Sequence, residues 1–292
     1  MGLSQGLASV QSLTVLITGA AQGMGEIFAR RAAQEGAKRL ILWDINEPLL
    51  QRLTDQLRDR YPRLQVEAAP VDLCDPEQIR RAAAQVLAGG TPQVLINNAG
   101  VVTGKPFIAH EATQVVQTMQ VNTLAPMLLS LELLPAMSAL GEPARILTIA
   151  SAAAFVSNPN MSVYAASKAA AMSWSDSVRL ELQRVPGNQV RVTTFCPTYV
   201  STGMFAGAKK MLLTPIMKPV EVTNRAWEAM LAGSPLVLMP WTARLGQFLR
   251  GVLPRPVWDF LAQHVLGIYR SMDQFSGRDA VGSNDRRPDA VR

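Results

Sequence analysis

The stretch LTVLITGAAQGMGEIFAR, residues 13–30, constrains the fold more than any other part of this chain. LTVLITG (13–19) is a short aliphatic run ending in glycine, which reads as a buried strand. GEIFARRAAQEG (25–36) reads as a helix closed by Gly36. Between them glycines fall at 19, 23 and 25. A glycine turn from strand to helix lets the backbone turn tightly and approach a pyrophosphate at the helix N-terminus. Such a turn is weak evidence alone, but its position between strand and helix is the context this chemistry requires.

The alternation continues along the chain. RLILWD (39–44), LQVEAAPVD (64–72), QVLINNAG (93–100), ARILTIAS (144–151) and VRVTTFCP (190–197) read as further strands. EPLLQRLTDQLRDRY, DPEQIRRAAAQVL, residues 111–140 and the segment around Tyr164 read as helices; Asp75 and Pro76 form a strong start signal. This schedule predicts an α/β fold, a Rossmann-type doubly wound parallel sheet in three α/β/α layers. One domain is expected over residues 1–275, with a substrate loop near 200–220 and a helical extension at 240–275. The polar segment 276–292 reads as a mobile tail.

Composition narrows the function classes. Of 292 residues, 48% are hydrophobic, enough for a large core. The net charge is +6, but Lys and Arg are scattered and no nucleic-acid motif appears, so no nucleic-acid partner is expected. Cys74 and Cys196 are far apart, and His110 and His264 are isolated. Neither a disulfide scaffold nor a metal site is expected, and a reducing, cytoplasmic setting fits. The N-terminus has no basic region before its apolar run, and Gly6 stands where a myristoylation signal wants Ser or Thr. No spanning helix is expected.

The glycine spacing is TGxxxGxG over Thr18–Gly25. Further on come NNAG at 97–100, Asn122 in VNTLAP, Ser151 at a strand end, YxxxK at Tyr164 and Lys168, and PTYVST with Pro197 and Thr202. In this order the motifs resemble the short-chain dehydrogenase/reductase family over residues 12–235, with Thr198 where the family usually has glycine. The LWDIN segment and the C-terminal region are similar to the branch holding retinol and 17β-hydroxysteroid dehydrogenases, which are membrane-associated. The anchor segment typical of that branch's N-terminus is not seen.

A carboxylate after the second strand can accept hydrogen bonds from the adenosine ribose while repelling a 2′-phosphate. Asp44 holds that place, with Gln22 and Ile45 where an NADP binder would offer Arg or Lys, so NAD is the expected cofactor. The resemblance implies that Asp72 meets the adenine, with Leu73 beside it, and that Gly19, Gly23, Met24 and Gly25 approach the phosphates. It also implies that Asn98, Ala99 and Gly100 line the cofactor and that Pro197, Val200 and Thr202 hold the nicotinamide end.

Tyr164 and Lys168 are four residues apart, on one face of a helix. A phenol ionises near pH 10; to act as a base at neutral pH it must fall by about 2–3 pH units, roughly 3–4 kcal/mol. A neighbouring ammonium acts in that direction. Tyr164 is therefore the expected acid–base, tuned by Lys168. The resemblance adds that Lys168 binds the nicotinamide ribose and that Asn122 holds a water relaying protons from Lys168. Ser151 is expected to bind the substrate oxygen.

GMFAGAKKMLLTPIMKP, after Thr202, is rich in Met, Leu and Phe, which suits a bulky hydrophobic alcohol or carbonyl. In WTARLGQFLRGVL, the residues Leu245, Phe248, Leu249 and Val252 make an apolar stripe expected to meet a membrane surface or a subunit. The expected function is NAD-dependent oxidation of such an alcohol, or reduction of its carbonyl, by a homodimer or homotetramer. Two rivals are an NADPH-dependent carbonyl or 3-oxoacyl reductase and a nucleotide-binding scaffold or sensor on the same fold.

Overall fold

A computed structural model describes residues 6–277. The sequence expectations for the extreme N-terminus and for most of the tail lie outside these residues. Strands β1 (Thr14–Thr18), β2 (Arg39–Asp44), β3 (Gln65–Pro70), β4 (Val94–Asn97), β5 (Ala144–Ile149), β6 (Val190–Pro197) and β7 (Leu236–Met239) form one sheet. Its order is β3-β2-β1-β4-β5-β6-β7, and every pairing is parallel. The doubly wound parallel sheet expected from the sequence is therefore what the chain forms.

Alternation along the strands shows why helices cover both faces. Val15, Ile17, Leu40 and Leu42 enter one core with Phe28 and Trp227. Leu16, Ile41, Trp43 and Leu95 enter the opposite core with Ile79, Leu129 and Leu133. Both faces are apolar, so neither can remain in water. The covering helices are α1 (Gly23–Gln34), α2 (Glu47–Arg60), α3 (Pro76–Ala88), α4 (Ala112–Met119), α5 (Ala125–Ala139), α6 (Ser162–Gln183) and α7 (Pro219–Ala232). Asp75 caps α3 by accepting from the N–H groups of Glu77 and Gln78 at 2.9 and 3.2 Å.

Three findings go beyond the sequence reading. The element pair α7–β7 is added before the C-terminal extension; β7 is four residues long and closed by Pro240, too brief to show a period. The helical stretch expected at 111–140 is interrupted by a π-turn over Gln120–Leu124, centred on Asn122. This stretch, Ala112–Ala139, is long and apolar enough to cross a membrane by length and composition, but half of it is buried in this fold. It is a core helix packed on α3 and α6. The extension itself forms α8 (Trp241–Val252) and α9 (Arg255–Phe260), followed by short π and 3-10 turns.

Candidate active site

From β1 the chain first winds to β2 and β3 on one side, then returns to β4 on the other. The carboxyl ends of β1 and β4 therefore border a crevice, the place where such sheets take ligands. Gly19 turns the chain there with φ +64°; a Cβ on it would stand 2.8 Å from the Cα of Ala99. The Asn98 amide donates to the carbonyls of Thr18 and Gly19, both at 3.0 Å. The Thr18 hydroxyl accepts from the N–H groups of Asn98 and Ala99. The TG and NNAG segments thus build each other.

Of the residues assigned to the cofactor, all but Gly25 line one cleft along this crevice. A Cβ on Gly25 would collide with the Gly19 carbonyl oxygen, so this glycine lets α1 pack against the turn and lies behind the cleft lining. Asp44 closes the far end. Its two oxygens accept from the N–H groups of Ala21 and Asn46, both at 2.9 Å, which fixes the carboxylate at the rim. Among the described residues lining the cleft, the single cationic side chain is Lys168, at the opposite end from Asp44. The lining fits a dinucleotide: small residues border the turn, and a Cβ on Gly100 would crowd the Lys168 Nζ and the Asn122 Oδ1, each at 3.3 Å.

Ser151, Tyr164 and Lys168 meet where β5 and β6 end. Tyr164 is 4% exposed, packed with Met161, Tyr199 and Met272 and met edge-on by Phe205 at 5.8 Å. This burial pushes the phenol well above its ordinary value; the Ser151 hydrogen bond opposes the rise but does not overcome it. The expected depression of Tyr164 by Lys168 is thus corrected for the free protein. The Lys168 Nζ lies 5.9 Å from the phenol ring centre and donates to the Ile149 carbonyl at 2.8 Å. Burial pulls the ammonium itself down to about 8.

Asn122 is also placed differently from the relay expected of it. Its side chain does not line the cleft. Its Oδ1 accepts from the Val101 N–H at 2.8 Å, and its Nδ2 donates to the Val101 carbonyl at 2.9 Å and to the Ser167 Oγ at 3.0 Å. The side chain therefore clamps the strand-end loop to α6. A proton relay at this residue would have to use main-chain groups of the π-turn, where the α-helical ladder is interrupted.

A second cavity, about 880 Å³ counting its mouth, adjoins the cleft; Ser151 and Thr198 border both. Its walls are mostly apolar: Met161, Met211, Leu249, Leu266 and Ile268 among them. The segment 199–217 and the extension are joined across it. The Asn158 amide donates to the Tyr199 hydroxyl and the Ser271 Oγ at 2.9 and 2.8 Å, and Tyr199 and Ser271 are themselves 2.8 Å apart. The N–H of Lys209 donates to the Ser271 carbonyl, and that of Ser276 to the Ala206 carbonyl. Sequence reasoning missed Asn158, Tyr199 and Ser271, since residues this distant carry no joint spacing signal. Of the C-terminal stripe, Leu245 and Leu249 border the cavity while Phe248 and Val252 face outward.

A parallel sheet with a glycine-cradled crevice, and a tyrosine, serine and lysine at its floor, defines a Rossmann-fold oxidoreductase. A family model for short chain dehydrogenases matches residues 13–212. The chain is 34% identical over 247 residues to human estradiol 17-beta-dehydrogenase 11, covering 84% of this chain and 81% of that protein. It is 31% identical over 279 residues to mouse epidermal retinol dehydrogenase 2, covering 94% and 89%. A Burkholderia phymatum short chain dehydrogenase/reductase solved in complex with NAD superposes with a TM-score of 0.73, at 26% identity, over 88% of this chain and 98% of that one. A Sphingobium yanoikuyae short-chain dehydrogenase in complex with NADPH gives 0.71 at 28% identity, over 83% and 97%. This chain belongs to the short-chain dehydrogenase/reductase family.

Proposed function

We propose that this enzyme transfers a hydride between NAD and a hydrophobic alcohol or its carbonyl, in the steroid, retinoid, terpenoid or long-chain range. The observation that carries the reading is the junction of the two cavities. The tyrosine, serine and lysine stand where a dinucleotide cleft opens into an apolar chamber, with Ser151 on both. When bound, the nicotinamide supplies the hydride donor or acceptor at its C4.

The chain's own residues handle the rest. Ser151 presents its hydroxyl to the substrate oxygen. Tyr164, protonated in the free protein, gives its proton to that oxygen during reduction and recovers it during oxidation. Lys168 carries positive charge to the cleft floor, beside the ribose end. The apolar chamber excludes water and selects a substrate without charge. Asp44 at the rim, and the lack of Arg or Lys near it in the cleft, support NAD over NADP. The names of the two relatives, a retinol and an estradiol dehydrogenase, support the same substrate range. Exposed Val116, Leu124 and Leu131 on the 112–139 stretch support a homo-oligomer, which light scattering would test.

The test is Tyr164→Phe with a panel of steroids, retinoids, terpenols and long-chain alcohols, read as NADH absorbance. Turnover should fall by about 10²–10⁴-fold while NADH affinity holds. Substantial residual turnover would refute the acid–base assignment. Comparing NADH and NADPH affinities tests the cofactor.

A further inference from the structure

The polar groups of the apolar chamber can be balanced hydrogen by hydrogen. Asn158 Nδ2 lies 2.9 Å from Tyr199 Oη and 2.8 Å from Ser271 Oγ, and the two hydroxyls are 2.8 Å apart. The Ser271 hydroxyl donates to the Ile268 carbonyl at 2.7 Å, so its hydrogen is not available to the other two. The three contacts therefore need three hydrogens, of which Tyr199 supplies one. Only an amide nitrogen at the third corner supplies the remaining two. Turned over, the amide would leave two of these contacts without a hydrogen. The count fixes the amide and, with it, the oxygen. Asn158 Oδ1 is enclosed and has no partner among the described residues.

A second enclosed atom of the same wall, Thr198 Oγ1, also has no partner among the described residues. Thr198 and Ser151 are common to chamber and cleft, so Thr198 stands at the junction, while Asn158 borders the chamber alone. The Thr198 N–H donates to the Met239 carbonyl at 3.0 Å, which ties this position to β7. Other polar side chains of the wall are paired: Thr214 and Thr242 share a hydrogen bond of 2.9 Å, and Ser151 donates to the Pro197 carbonyl at 3.4 Å. A buried polar group left unpaired destabilises the fold that holds it, so an enclosed acceptor in a cavity wall points to a donor on whatever fills the cavity. An amide oxygen can only accept. None of the described residues lining the chamber is acidic or basic. An ammonium would be buried there without a counter-charge, and the donor that fits is a neutral hydroxyl.

We propose that the chamber takes a neutral apolar alcohol bearing a second hydroxyl, which donates to Asn158 Oδ1 and does not react, while Thr198 stands with Ser151 at the reacting oxygen. The network of Tyr199 and Ser271 aims the amide, and Asn158 reads the far end of the substrate. The proposal rests on the hydride transfer assigned above and adds no chemical step to it.

The test compares alcohols that differ only at the end remote from the reacting carbon. They are straight-chain α,ω-diols of increasing length, the same chains with methyl in place of the second hydroxyl, and the corresponding methyl ethers. Methyl matches hydroxyl in size, and a purely apolar wall favours the methyl, because a hydroxyl left unpaired there loses its hydration. With NAD, kcat/KM per reactive hydroxyl should be at least about tenfold higher for the diol of best length than for its methyl partner, with the difference in KM. The ether keeps an oxygen but no hydrogen, so it should behave as the methyl compound does. Asn158→Leu should abolish the preference for the diol; the ratio is taken within one protein, so a general loss of activity cancels. If that variant does not fold, the wild-type ratio decides. Thr198→Val should lower kcat for diol and methyl compound alike, by roughly tenfold, and Thr198→Ser should restore it. No preference for the diol at any length, an ether as good as the diol, or a preference that survives Asn158→Leu would overturn the proposal; the first two results would assign the Asn158 oxygen to a bound water. An unchanged kcat in Thr198→Val would overturn the placing of Thr198 at the reacting oxygen. If no alcohol reacts, thermal shifts with the same compounds separate the two readings. Stronger stabilisation by the diol then supports the Asn158 contact and overturns hydride transfer alone, whereas equal stabilisation overturns both.

Discussion

Lys168→Met separates what the lysine does for chemistry from what it costs the fold. The ammonium is 4% exposed, and burial brings its pKa from 10.5 to about 8. That difference corresponds to about 3 kcal/mol of unfavourable burial at neutral pH. Methionine has a similar length and no charge, so it removes this cost. It also removes the hydrogen bond to the Ile149 carbonyl, at 2.8 Å, and leaves a buried acceptor unpaired, a loss of about 1–3 kcal/mol. The variant should therefore be as stable as the wild type at pH 7, or more stable by up to about 2 kcal/mol. The pH dependence has a definite sign. Between about 8 and 10.5 the unfolded lysine holds a proton that the folded one has released, so wild-type stability rises with pH in this window. The variant lacks that rise, so its advantage should shrink by about 3 kcal/mol between pH 7 and 10.5. The raised Tyr164 phenol acts on both proteins alike, in the opposite sense, and cancels in the difference. Urea denaturation at several pH values measures the effect, with turnover as the second readout; turnover should fall by about 10² or more. A variant destabilised by more than about 3 kcal/mol at pH 7, or a stability difference that ignores pH, would refute a desolvated lysine.

Three further outcomes follow from the same geometry. Because the free Tyr164 phenol is raised by burial, kcat/KM for alcohol oxidation should climb with pH up to about 8, where Lys168 begins to lose its charge, with a logarithmic slope of about 1, while reduction stays nearly level; an oxidation rate flat with pH below 8 would refute a protonated resting tyrosine. Asp44→Ala should weaken NADH binding about tenfold and spare or improve NADPH, measured by fluorescence titration; equal losses on both would show that the carboxylate only braces the Ala21 turn. Tyr199→Phe leaves the Asn158 and Ser271 groups one partner short at a loss of about 1–2 kcal/mol, so it should raise KM for bulky substrates more than it lowers kcat and speed proteolysis near residue 271; unchanged KM and proteolysis would place the network outside substrate binding.

The contrast between the two halves of the site explains what the sequence could disclose. The cofactor half is made by main chain: Gly19 at positive φ, the Asn98 amide on two carbonyls, and strands whose two apolar faces are continuous runs. Backbone demands of this kind fall on particular residue types at fixed short spacings, so TGxxxGxG and NNAG announce them. The same logic gave Asp75 and Pro76 as a helix start. Sheet order is different, because no local pattern records which buried strand neighbours which. The state of Tyr164 depends on what covers it, and its cover is Phe205 and Met272, from segments 41 and 108 residues away. Spacing within YxxxK therefore placed the lysine one turn away but carried no information about solvent, and burial sets the direction of the phenol's shift. Asn122 illustrates the converse. Its position was legible, but its side chain was already committed by the π-turn to Val101 and Ser167, an arrangement visible only in three dimensions. The apolar chamber proposed for substrate is assembled from side chains of 158, 199 and 271, and it is closed by a helix with two apolar faces. Such a half tolerates many residue choices as long as its volume is apolar. That freedom lets one fold serve different alcohols, and for the same reason the fold and chemistry of this enzyme are written more plainly in its sequence than its substrate is.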